Sequence, residues 1–116
     1  MANSEFVEFV IDALKPFGFV TSRSMFGGYG LYKDGLIFAI IVDDELYFKT
    51  DNSNRADYEK KQSEPFSYIA AGDKKVTMSY WKVPLDVFED VEELSKWAER
   101  AYAVSLTAKK PKKKKL

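Results

Sequence analysis

No histidine and no cysteine occurs among the 116 residues, and this bounds the available chemistry more tightly than any residue present. Without imidazole, no side chain is tuned to move protons near neutral pH. Without a thiolate, there is neither a strong nucleophile nor an ordinary zinc ligand set. Carboxylate, lysine or tyrosine chemistry remains. The densest carboxylate group, Asp43-Asp44-Glu45, sits between two apolar runs and lacks the spaced ligands of a calcium loop, so it reads as a solvated hairpin turn. Gly27-Gly28-Tyr29-Gly30 has the glycine density of a phosphate loop. It leads into Leu31, Tyr32 and a hairpin, not into a helix N-terminus with Lys-Ser/Thr, so the amide cradle is missing. No catalytic residue, metal site or cofactor is expected.

Residues suited to binding are better represented. Arg23, Met25, Gly27, Gly28 and Tyr29 cluster in one segment, and Tyr80 and Trp81 end a later apolar run. If the two segments are neighbours, they form an aromatic-lined surface with one fixed cation, the composition favoured at protein interfaces. The glycines are expected to bend or bulge a first strand, where bare backbone admits close packing. Phe26 and Trp97 are expected in the core. At the other end, Lys109, Lys110, Lys112, Lys113, Lys114 and Lys115 can neutralise phosphates without reading sequence, and no aromatic residue interleaves them for base stacking.

These residues need elements to position them. Phe6, Phe9, Val10, Ala13, Leu14 and Phe17 recur at helical spacing after Ser4, which predicts a first helix stopping near Pro16. Strand signals follow from about Ser24 to Thr50, with Asp34-Gly35 and Asp43-Asp44-Glu45 as turns between short strands. Such short connections imply an antiparallel meander. A short second helix is expected near Ala56, Tyr58 and Glu59, then strands over 66–70 and 75–81 joined at Ala71–Lys74. Asp90-x-x-Glu93 is a capping box opening a last helix with the stripe Val91, Leu94, Trp97, Ala98, Ala101, Val104 and Ser105. The predicted order is α-β-β-β-α-β-β-α. It implies a two-layer α+β domain with a mostly antiparallel, five-stranded sheet.

One domain is expected over residues 1–108, large enough to bury roughly 65% of its unfolded surface. A lysine-rich tail over 109–116 is expected to be disordered when free. The net charge of zero hides a division, since six of eighteen basic residues lie in that tail, leaving the body at −6 and the tail at +6. Glu5, Glu8 and Asp12 interrupt the first apolar stretch, so neither a secretory signal nor a membrane span is read there, and a cytoplasmic protein is the expectation. In the run Leu36–Val42, both alternate faces are apolar, and one helical layer covers only one of them. A homodimer hiding the face of Ile37, Ala39 and Ile41 is the expected solution.

Arg23, Met25-Phe26-Gly27-Gly28, Gly30-Leu31-Tyr32, Gly35, Leu46-Tyr47-Phe48-Lys49, Pro65-Phe66-x-Tyr68, Met78-x-Tyr80-Trp81, Val83-Pro84, Leu94 and Trp97 together resemble the N-terminal domain of the TfoX/Sxy family, over most of the chain. The resemblance is to a stand-alone form, because full-length members carry a further helical domain where this chain has KKPKKKKL. It implies a fold related to secretion chaperones and a non-enzymatic role in regulating competence genes by protein contacts. The partner it implies is a transcription factor like the cyclic-AMP receptor protein. The second class of function left open is a nucleic-acid-associated protein that binds weakly through its lysine tail.

Overall fold

The computed structural model describes residues 4–25 and 27–109. Helix α1, Ser4–Ala13, is followed by strands β1, Thr21–Met25, β2, Gly28–Lys33, β3, Leu36–Val42, and β4, Glu45–Lys49. Helix α2, Arg55–Lys60, precedes β5, Pro65–Ala70, and β6, Lys74–Lys82; helices α3, Leu85–Phe88, and α4, Val91–Lys109, close the fold. The strands form one open antiparallel sheet in the order β1-β2-β3-β4-β6-β5. The α+β class and the antiparallel sheet agree with the sequence reading.

The strand number does not: there are six strands, not five, and four helices, not three, among the described residues. The extra strand comes from the glycines. Met25 pairs with Gly28, and Gly27, in the turn between the two strands, supplies a φ of +75° that side chains disfavour. The expected bend within one strand is thus a hairpin between two. Helix α3 escapes sequence reading because four residues after Pro84 span barely one helical turn. The other turns fall where expected. Asp34-Gly35 and Asp43-Asp44 each join strands by two residues with positive φ, the geometry whose twist matches antiparallel strands.

A bulge lies elsewhere, opposite the glycine strand. Leu31 pairs with Ala39 and Tyr32 with Ile37, so Phe38 has no partner, and the alternation of β3 shifts there. Phe38, Ala39 and Ile41 all enter the core beneath the helices, Phe38 with ring centroids 5.1 Å from Phe17 and 6.1 Å from Phe48. Ile37 instead approaches Met25 and Gly30 on the opposite face. The hydroxyl of Ser105, in the apolar stripe of α4, donates to the carbonyl of Ile37 at 2.5 Å, which ties the last helix to the bulge. Ala39 and Ile41 therefore lie under the helices, not on a shared face, and the sequence expectation for the dimer surface is corrected on that point.

The stripe of α4 is buried as predicted from Leu94 to Ser105, and Trp97 packs edge-on against the buried Tyr58 at 4.7 Å. Asp90 caps this helix, its carboxylate accepting from the backbone N–H groups of Glu92 and Glu93 at 3.1 and 3.2 Å. Asp90→Ala should therefore lower the unfolding free energy by about 1 kcal/mol in a urea titration, as loss of such a cap does. An unchanged midpoint would mean the cap contributes nothing. The core expectation for Phe26 and the tail residues Lys110, Lys112, Lys113, Lys114 and Lys115 lie outside the described residues, and Lys109 is the last residue of α4.

Candidate functional site

Helices pack on one face of the sheet, and the other face is the surface on which side chains are free to meet a ligand or partner. Ile40 and Val42 of β3 point there, with Met25 of β1, Met78 and Tyr80 of β6, and Phe66 and Tyr68 of β5. Tyr29, which also packs against the core, closes one side. Together they line a cavity of about 370 Å³. Residues of β1 and β5, the two edges of the sheet, contribute to one cavity, so the sheet curls and its open face is concave. Ile40 and Tyr80 are nearly fully buried on this face with no described helix above them, because the curl brings neighbouring side chains over them. Tyr68, 46% exposed, stands at the rim.

Glycines make the concavity possible. A Cβ on Gly30 would lie 2.8 Å from the sulfur of Met25 and 2.9 Å from Cδ1 of Ile37, so the space over bare backbone is where those two side chains meet. A Cβ on Gly28 would lie 2.3 Å from the carbonyl oxygen of Ile41, a backbone atom, so β2 and β3 approach there more closely than any other residue type allows.

Two cations flank this face. The guanidinium of Arg23 lies 5.5 Å from the centre of the Tyr32 ring, and Nζ of Lys49 lies 5.9 Å from that of Tyr80. Among the described residues neither is in a salt bridge, whereas Lys15, Lys61, Lys82, Lys96 and Arg100 each are. Burial, then the neighbouring Tyr32, pushes the Tyr80 hydroxyl above the usual phenol range, which keeps it protonated and able to donate. Arg23, Tyr32, Tyr80 and Lys49 thus form a polar chain beside an apolar hollow.

The residues singled out from sequence divide between the faces. Met25, Tyr29 and Tyr80 meet at the cavity, and Arg23 lies at its margin. Gly27 is an exposed turn residue and Gly28 a buried spacer. Trp81 packs against the helix-side core, 6.3 Å from Tyr58, and does not line the cavity. Its neighbour Tyr80 faces the other way, as alternation requires. Sequence reasoning missed Ile40, Val42, Phe66, Tyr68 and Met78. The i, i+2 spacings Phe66-x-Tyr68 and Met78-x-Tyr80 carried the signal.

A second cleft, of about 500 Å³, lies between the end of β6 and α3. It is polar, and its charges pair across it: Lys61 with Asp86 at 2.5 Å, and Lys82 with Glu45 at 2.6 Å. No group of three or more metal-ligating side chains occurs among the described residues, and no described helix is long and apolar enough to cross a membrane.

Fold and site together define a small α+β domain that presents one open, concave, apolar sheet face. Residues 12–105 match the family model of the TfoX N-terminal domain, and the chain belongs to that family. No curated protein matches the chain. Membership supports a competence-related regulatory domain.

Proposed function

We propose that this domain is a non-enzymatic, cytoplasmic adaptor that regulates transcription by holding a protein partner on the open face of its sheet. The observation that carries the reading is the concave apolar face lined by Met25, Ile40, Val42, Tyr68, Met78 and Tyr80, which no described helix covers. A convex apolar element, such as one face of a helix, fits a hollow of this shape and burial. The family resemblance makes a regulator like the cyclic-AMP receptor protein the partner. Tyr68→Glu with Met78→Glu should leave thermal unfolding nearly unchanged, because Tyr68 is 46% exposed and Met78 half-buried, and should abolish promoter activation in the host. Full activation by a folded double variant would overturn the reading.

Self-association is part of this proposal, but through an edge. Two concave faces related by a two-fold axis would enclose a void, whereas an outer strand pairs with its own copy without one. Strand β5 is an outer strand with Ile69 65% exposed. Sedimentation of the wild type at roughly 10–50 µM, a range that detects a modest interface, should show a dimer that Ile69→Lys dissociates. A monomeric wild type would remove the dimer from the account.

A further inference from the structure

We propose that the open-face cavity is a binding site for a small apolar carboxylate, its hydrocarbon part held between the methionines and tyrosines and its carboxylate between Arg23 and Lys49. This uses the same face as the partner reading but does not require that a partner exists.

Three features support it. The first is size: about 370 Å³ falls within the range of pockets that enclose small ligands. The second is composition. Met25 and Met78 face one another across a hollow whose other walls are aromatic or β-branched, and unbranched thioethers adapt to a flexible chain or flat ring. The third is charge. Arg23 and Lys49 are cations in no salt bridge among the described residues, held over the rings of Tyr32 and Tyr80, while Lys82 at the end of β6 is paired with Glu45. Two unpaired cations beside an apolar hollow complement one anion on an apolar body. The Tyr32 and Tyr80 hydroxyls lie between them as further donors.

The test needs no partner. Protein labelled with ¹³C at the methionine and alanine methyls reports on Met25 and Met78, which line the cavity, with Ala98, fully buried in α4 on the helical side, as reference. Titration with decanoate below its micellar concentration should shift the Met25 and Met78 signals saturably and leave Ala98 in place. Decanol, of the same chain length but uncharged, should bind about tenfold more weakly, the effect of losing one charge-assisted contact. The double substitution Arg23→Gln, Lys49→Gln should reduce decanoate binding to the level of decanol while leaving decanol binding unchanged, which also shows that the variant is folded. Absence of a saturable shift at Met25 and Met78, a shift of Ala98 of equal size, or equal affinities of the wild type for decanoate and decanol would each overturn the proposal. None of these results bears on whether the same face contacts a protein, so the two readings fail separately.

Discussion

Gly28→Val should destabilise the domain by about 3 kcal/mol, the upper part of the range for overpacking a site that cannot yield. A Cβ placed on Gly28 falls 2.3 Å from the carbonyl oxygen of Ile41 and 3.3 Å from Cγ2 of Val42. The first of these is backbone, hydrogen-bonded into the sheet, so relief requires β2 and β3 to separate at their pairing around Tyr29 and Ile41. Valine adds two methyl groups to that contact. Gly27 is the internal control. It has a φ of +75° but open space around it, so Gly27→Asn, which tolerates that conformation, should cost less than ~1 kcal/mol. Urea midpoints for the two variants measure the contrast, and equal midpoints would show that the close approach of β2 to β3 does not exist in solution.

Ile41→Glu should lower stability by about 4 kcal/mol, the scale for an unpaired charge in a core, and most of what a small domain has to lose. Ile41 is fully buried under the helices beside Leu46, its partner on β4. The next residue, Val42, points to the open face and is half-buried, so Val42→Glu should cost no more than about 1 kcal/mol, as substitutions near the surface do. The adjacent pair tests the side assignment set by the bulge at Phe38. If Ile41→Glu folded normally and Val42→Glu did not, β3 would be turned over.

That bulge also marks where sequence reading stops. Leu36–Val42 is seven consecutive apolar residues, and with no polar residue among them nothing local shows which side chains face the helices. Alternation assigns Phe38 to the side of Ile40 and Val42. The fold reverses it through an unpaired residue opposite Leu31 and Tyr32 and through Ser105, 68 positions away in sequence. The turns were legible because their chemistry is local: Asp34-Gly35 adopts φ values of +51° and +81°, which few other pairs accept. The last helix was legible for a similar reason, its stripe being long and its cap close by. Of the candidate site, Met25, Tyr29 and Tyr80 could be read as part of an aromatic cluster. The other lining residues, Ile40 and Val42 on β3, Phe66 and Tyr68 on β5 and Met78 on β6, depend on the bulge in β3 and on the curl that brings the two sheet edges together, a property of the whole sheet. Placing Trp81 beside Tyr80 was an error that strand parity alone corrects, since consecutive residues of a strand face opposite ways.

The proposed partner surface is the open face, not the helical layer. Photo-crosslinking in the living host tests it most directly, with benzoylphenylalanine replacing Tyr68 at the rim of the cavity in one strain and the exposed Glu99 of α4 in another. The account predicts a discrete adduct with a transcription regulator from position 68 and none from position 99. An adduct from position 99 with none from position 68 would contradict it.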